Sequence, residues 1–177
     1  MTRRTGLIAG AIVMATTTVA LAGCATVPGT GSADSAAVSA YQSTLAASRA
    51  EVAATAGKSA CTAWRSGYDV RMVATKAMND YTKSPGSNWN GITPTLDANV
   101  AAVATESGKL SGVITTAESN PSIQALITDY RAKLDAYGSA IKVDQAARGL
   151  GDQSWPKTAP AEIALLAATD ALTVTCS

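Results

Sequence analysis

The chain contains no histidine and no phenylalanine, and only 15% of its 177 residues are charged. Histidine is the most frequent general base and the most frequent transition-metal ligand in proteins, so its absence excludes the commonest forms of both kinds of chemistry. Lys and Arg form no dense cluster, which argues against a nucleic-acid partner. We therefore expect no metal site, no cofactor and no interaction with nucleic acid.

Sequence motifs of catalysis are missing as well. There is no G-x-S-x-G elbow, phosphate-binding loop or dinucleotide fingerprint. The S-x-x-K spacing of Ser139 and Lys142 stands alone, without the companion motifs that accompany Ser-Lys catalysis. Asp129 and Asp135 have basic residues within helical reach, which is typical of charges on a solvated helix surface. The sequence thus names no catalytic residue, and we predict that the protein is not an enzyme.

The first residues of the chain form a three-part leader. Arg3 and Arg4 supply the positive charge that stays on the cytoplasmic side of a membrane. An apolar stretch over residues 7–21 follows, and a cysteine stands at position 24. About 15 apolar residues are too few for a membrane span, which needs roughly 20, but they match the hydrophobic part of a cleaved signal peptide.

The four residues Leu21-Ala22-Gly23-Cys24 resemble the lipobox of bacterial lipoproteins with a type II signal peptide. The resemblance implies that residues 1–23 are removed and that a diacylglycerol is attached to the sulfur of Cys24. Each buried methylene adds about 0.8 kcal/mol, so two or three acyl chains would anchor the protein on the extracytoplasmic side of the cell membrane. Ala20-Leu21-Ala22 leaves ordinary secretory cleavage open as an alternative.

The rest of the chain, residues 24–177, has the length of one domain and carries 12 basic and 13 acidic residues. Its richness in Ala, Thr and Val, together with the lipobox, is similar to small Ala-rich lipoproteins of mycobacteria and other actinobacteria. Cys61 and Cys176 are the two remaining cysteines. An even number in an exported protein predicts a disulfide, and two buried free thiols are the alternative.

The beginning of the mature chain divides into a tether and a helix. Residues 24–33 contain Pro and Gly without periodicity and are expected to form a flexible tether. Helical periodicity starts at Asp34, but the nine residues from Val52 to Cys61 turn about 900°, which puts the apolar faces before and after them about 180° apart. We therefore predict a break at Gly57, with an N-terminal helix over 34–57 that packs on the following domain, forms a stalk or contacts a second copy.

Residues 58–177 contain four amphipathic stretches separated by short loops rich in Gly and Pro. Thr93-Pro94, Asn120-Pro121 and Thr158 with Pro160 are expected helix starts. We predict an all-α fold, an up-down-up-down four-helix bundle preceded by the additional N-terminal helix and the tether. This topology brings Cys61 and Cys176 to the same end. In the last helix the apolar stripe includes Ile163, Leu166 and Leu172.

The aromatic residues fall into two groups. Those on the helical stripes are expected in the core, with a lipid- or haem-binding pocket as the alternative, in which a tyrosine would ligate iron. They are Trp64, Tyr68, Tyr130 and Tyr137. Trp89 and Trp155 lie in polar loops and are candidate surface recognition residues; the alternative is that each folds back to cap an end of the bundle.

These observations favour a non-enzymatic, lipid-anchored binding or interaction module of the cell envelope, which uses its helix faces or the Trp loops and has an envelope protein as a candidate partner. The second hypothesis is a carrier that holds a small apolar ligand, a lipid or haem, between its helices. The sequence contains nothing that identifies the partner or the ligand.

Overall fold

A computed structural model of the chain describes residues 34–148 and 154–177. Within these ranges the fold is all-helical, as predicted, without a β-strand. The predicted signal peptide, tether and lipidation site at Cys24 lie outside the described residues. No helix in the two ranges combines the length and apolar composition of a membrane span. The helices are α1 (Ser35–Thr82), α2 (Trp89–Thr116), α3 (Pro121–Ala146) and α4 (Thr158–Thr175).

The expected break at Gly57 is wrong, because α1 continues through this position as a single helix of 48 residues. The conflict between two apolar faces does not arise, since only the second face is buried. Val52 is 54% exposed and Tyr41 is 69% exposed. The segment predicted as a separate N-terminal helix is therefore the first part of α1.

Residues 35–52, which we call the projecting segment, extend beyond the bundle. Along α1, the first hydrogen bond to another element in the described residues is donated by the Asn120 side chain, at the start of α3, to the Ala53 carbonyl at 3.1 Å. Eighteen residues before that contact correspond to a helix about 27 Å long. The segment has six alanines, the residue with the highest helix propensity, which favours a helix without packing against a neighbour.

The helices form a bundle in which neighbours in sequence are neighbours in space. α1 packs on α2, α2 on α3 and α3 on α4, whereas α1 and α4 have almost no direct helix-to-helix contact. Apolar side chains from all four helices fill the interior. Those with no exposed surface are Ala60, Trp64, Ile92, Leu96, Ala117, Ile127, Tyr130, Leu134, Ile141 and Leu172.

Two helix starts were predicted with different success. Asn120 caps α3 by accepting from the Ile123 amide, with Pro121 as the first helical residue, as expected. α2 begins at Trp89 rather than after Thr93, because the Asn88 side chain caps the helix by accepting from the Gly91 amide at 2.9 Å. Pro94 consequently lies inside α2.

The apolar stripe predicted for α4 is partly wrong. Ile163 is 69% exposed and Leu166 is 53% exposed, while Leu165 and Leu172 are buried. α4 packs closely on α3 alone, so its buried face is narrow. The helix begins at Thr158, as predicted, and the carboxylate of Asp144 in α3 accepts from the amides at its start, at 2.8 to 3.2 Å.

Close approach of α2 and α3 at Gly138 gives a test of the packing. A Cβ at Gly138 would lie 2.8 Å from Cγ1 of Val103, a buried β-branched side chain with little freedom to move. We expect Gly138→Ala to lower the free energy of unfolding by about 1–3 kcal/mol through overpacking. In α2 a Cβ at Gly112 would meet nothing within 4 Å, so Gly112→Ala is expected to stabilise by roughly 0.5–1 kcal/mol. Urea unfolding of both variants checks this, and shifts of the same sign would contradict it.

Candidate functional site at the α1–α4 seam

Three of the four stripe aromatics are core residues, as predicted. Trp64 and Tyr130 have no exposed surface and Tyr137 has 1%. Trp64 meets Tyr130 edge to face, with 5.8 Å between ring centroids. Tyr68 is only partly buried and packs against Trp64 from the outside, at 5.7 Å.

A buried ion pair lies beside these rings. Arg71 of α1 donates from Nε to the Glu106 carboxylate of α2 at 2.6 Å, and both side chains are almost fully buried. Tyr130 of α3 donates its hydroxyl to the other carboxylate oxygen at 2.6 Å. Arg71 also donates to the Tyr130 hydroxyl oxygen at 3.3 Å. One charge pair therefore joins three helices.

The network continues toward the C-terminal end of α1. Arg71 donates to the Thr75 hydroxyl oxygen at 3.1 Å, and Thr75 donates to the Asn99 side-chain oxygen at 2.8 Å. Asn99 in turn donates to the Tyr137 hydroxyl oxygen at 3.2 Å. Most of these buried polar groups thus have partners, and the network closes the centre of the bundle.

The protonation of the two tyrosines argues against the haem alternative. Burial raises the pKa of Tyr130 above its usual value, and the neighbouring Glu106 carboxylate raises it further. Burial also raises the pKa of Tyr137. Iron ligation needs the phenolate, which both environments disfavour. Burial alone would lower the pKa of Arg71, but its interactions with Tyr130 and Glu106 outweigh burial and raise it.

Sequence reasoning missed the polar members of this network, although a signal was present. In α2 the buried positions alternate in steps of four and three, and the phase that includes Leu96 and Val103 also passes through Asn99 and Glu106. The apolar residues Val100 and Ile114, which also lie at helical spacing in α2, are only partly buried. A polar residue that keeps the phase of an apolar stripe is thus a sign of a buried network.

The predicted disulfide is present in the structure between Cys61 of α1 and Cys176 at the end of α4, with Cα atoms 5.5 Å apart. Next to it, the Arg65 guanidinium donates to the Thr173 hydroxyl oxygen at 3.5 Å. The guanidinium also lies 4.7 Å from the centre of the Trp64 ring. The disulfide and the hydrogen bond to Thr173 join α4 to α1, and the two helices otherwise have almost no direct contact.

An open groove of about 1000 Å³ surrounds the disulfide. One wall is the outward face of α1 from Ala54 to Val70, and the other is the C-terminal end of α4 together with the start of α3. Lys58, Arg65 and Asp69 are among its polar lining residues. The groove is therefore amphipathic and mixed in charge.

A second, smaller cleft of about 250 Å³ lies at the other end of the seam, between Met78–Thr82 of α1 and Trp155–Glu162 at the start of α4. The Glu162 carboxylate has neither an ion-pair nor a hydrogen-bond partner in the described part of the chain. The Thr158 hydroxyl oxygen is buried and also lacks a partner there. The other buried polar atom without a partner in this part of the chain is Nε1 of Trp64.

The two loop tryptophans meet at this end of the bundle. Their ring centroids are 4.8 Å apart. Trp89 is 6% exposed and belongs to the first turn of α2, so its side chain offers no recognition surface. Trp155 is half-buried and lines the small cleft. The capping alternative therefore describes Trp89, and Trp155 alone is placed to contact a ligand.

The remaining sequence candidates are ordinary helix residues. Ser139 donates its hydroxyl to the Asp135 carbonyl of its own helix. Asp129 and Asp135 form exposed pairs with Lys133 and Arg131, at 3.7 and 4.0 Å. No protein-family profile matches the chain, and no curated protein or solved structure is detectably similar to it.

The buried ion pair makes a prediction about stability. We expect Glu106→Ala to lower the free energy of unfolding by about 3–5 kcal/mol, because it leaves the Arg71 guanidinium buried without a counter-charge. Asp80→Ala, which removes the exposed partner of Lys76, serves as the control and should change stability by less than about 1 kcal/mol. Chemical unfolding followed by circular dichroism measures both variants. Similar decreases in the free energy of unfolding would show that the buried pair contributes no more to stability than the exposed one.

Proposed function

We propose that the protein is a lipid-anchored binding module of the cell envelope, not an enzyme, which stands away from the membrane on the projecting segment. The four helices alternate in direction as an up-down-up-down bundle, and the tether of residues 24–33 links them to acyl chains on Cys24. Residues 35–52 support this most directly, because they extend α1 beyond the bundle on its N-terminal side and all but Leu45 are exposed.

Two further features agree with an extracytoplasmic location. A disulfide forms and persists in oxidising compartments, and the Cys61–Cys176 bridge ties together parts of the chain 115 residues apart. The charged and polar side chains of the central network are bonded to one another. Binding on this proposal therefore takes place at the seam, where α1 and α4 leave open space.

The groove around the disulfide favours the carrier hypothesis as a second candidate. Its volume of about 1000 Å³ is in the range of small-molecule pockets, up to about 1,000 Å³. A carrier of this kind would hold an apolar ligand at the seam and not among the core aromatics. Lipid that co-purifies with the protein and is identified by native mass spectrometry would favour it over the protein-partner hypothesis.

Lipidation is tested at Cys24. Labelled palmitate should enter the wild-type protein expressed in a mycobacterial host and should be absent from Cys24→Ala, because the thioether requires that sulfur. Cys61→Ser and Cys176→Ser together serve as the control, since they remove cysteines without touching the lipobox. Equal labelling of wild type and Cys24→Ala would contradict the proposed anchor.

The projecting segment is tested as a spacer. Deletion of residues 35–52 should leave cooperative unfolding intact and bring the bundle about 27 Å closer to the lipid. All three tryptophans lie in the bundle, so energy transfer from them to a dansyl lipid in vesicles should rise strongly in the deletion variant. Unchanged transfer would show that the segment does not separate bundle and membrane, and loss of cooperative unfolding would show that it belongs to the core.

A further inference from the structure

We propose that the small cleft between α1 and α4 binds an organic ammonium ion, such as choline or a short alkylamine. Seven residues of the described ranges line the cleft, and among these Glu162 is the only charged one. Its other walls include an aromatic ring, a hydroxyl group and the Asn79 side chain. This combination of groups recognises a small cation with apolar substituents.

The charge at the cleft selects a cation. Glu162 is half-buried, and the lining residues that belong to the described part of the chain include no Lys or Arg. The N-terminal end of α4 would favour an anion, but the Asp144 carboxylate already accepts from the amides of Lys157 and Thr158. The positive end of the helix is therefore compensated from within the protein, and the Glu162 carboxylate is left to attract a positively charged ligand.

The aromatic wall adds selectivity for an organic cation over a metal ion. Trp155 packs against Trp89, which is buried, so the Trp155 ring is held in place before any ligand arrives. Tryptophan gives the strongest cation–π interaction among the aromatic side chains. A carboxylate and an indole ring that line one cleft thus supply the two interactions that ammonium ligands use.

The Thr158 hydroxyl group supplies an independent observation. Thr158 is 5% exposed, and its oxygen has no hydrogen-bond partner within residues 34–148 and 154–177. Buried polar groups in folded proteins are almost always paired with protein or water, so an unpaired one that lines a cleft points to a ligand. Here it can accept from an ammonium N–H or bond to the hydroxyl of choline.

The size and place of the cleft restrict the ligand further. A volume of about 250 Å³ admits a group of headgroup size and excludes an acyl chain. Met78 lies 25 residues after Ala53, which puts the cleft about 38 Å along α1 from the point where the projecting segment leaves the bundle. If the proposed anchor is right, the anchoring bilayer is at the opposite end. The ligand is therefore a free ammonium compound in solution and not a lipid of the anchoring bilayer.

Binding is measured on the full chain in a neutral maltoside detergent, by calorimetry and by tryptophan fluorescence. Choline chloride is the probe, and 3,3-dimethyl-1-butanol, which has nearly the same shape without the charge, is the matched control ligand. We expect choline to bind saturably to the wild type. The uncharged isostere should bind about tenfold more weakly or worse, and Glu162→Gln should weaken the binding of choline by a similar factor. Glu51→Gln, on the exposed projecting segment, should bind choline like the wild type.

The outcomes separate the source of the ammonium group. If glycerophosphocholine binds more weakly than choline, the cleft is assigned to a free ammonium compound, because the Glu162 carboxylate repels the phosphate. If glycerophosphocholine binds more tightly and this binding depends on Glu162, the cleft is assigned to a lipid headgroup. Both results support an ammonium site. The proposal is overturned if choline does not saturate the protein, if the isostere binds equally well, or if Glu162→Gln binds like Glu51→Gln. None of these results depends on palmitate labelling at Cys24.

Discussion

The ion pair between Arg71 and Glu106 is the interaction on which the arrangement of the bundle depends. Each partner comes from a different helix, and Tyr130 brings in a third. Apolar packing tolerates sliding of one helix past another, but a buried charge that loses its counter-charge is strongly destabilising. A shift of one residue in α1 or α2 would separate the pair. We infer that the network fixes the register of the first three helices, while the surrounding apolar side chains supply most of the favourable free energy.

α4 is held by a different set of interactions. It has no side chain in the central network and is attached by its packing on α3, by the Asp144 cap at its start and by the disulfide at its end. The side facing α1 is bridged by few contacts, among them the hydrogen bond from Arg65 to Thr173. This difference explains why both cavities lie along the α1–α4 seam. α4 packs on α3 and barely contacts α1, so open space remains between α1 and α4.

The parts of the fold that the sequence predicted are those with strong local signals. In α3 Tyr130 and Tyr137 were correctly predicted to be buried, because apolar residues keep one phase over the whole helix, from Ile123 to Ile141. The cysteine pair was predictable because the chain after the predicted leader and Cys24 has two further cysteines, and an even number favours a disulfide. α1 was misread because the apolar face that ends at Val52 was assumed to be buried, whereas exposure of single apolar residues is common.

The candidate site was less accessible to sequence reasoning. The Glu162 carboxylate, the Thr158 hydroxyl and the Trp155 ring belong to one short stretch, but what makes them a site is the wall that α1 provides from 76 residues away at Thr82. No local sequence pattern in either stretch predicts that the two lie side by side in the fold. Trp89 was placed in a loop because the cap at Asn88 was not recognised ahead of the Thr93-Pro94 signal.

The continuity of α1 has a mechanical consequence. A pulling force applied at Ser35 enters the bundle along the helix axis, so it loads the α1–α2 contact in shear, with many side-chain contacts resisting together. The covalent bridge at Cys61 lies near the point of entry and passes part of that load to the end of α4. The domain therefore resists tension applied at its N-terminal side. A force that peels α4 away from α3 would separate the helices more readily.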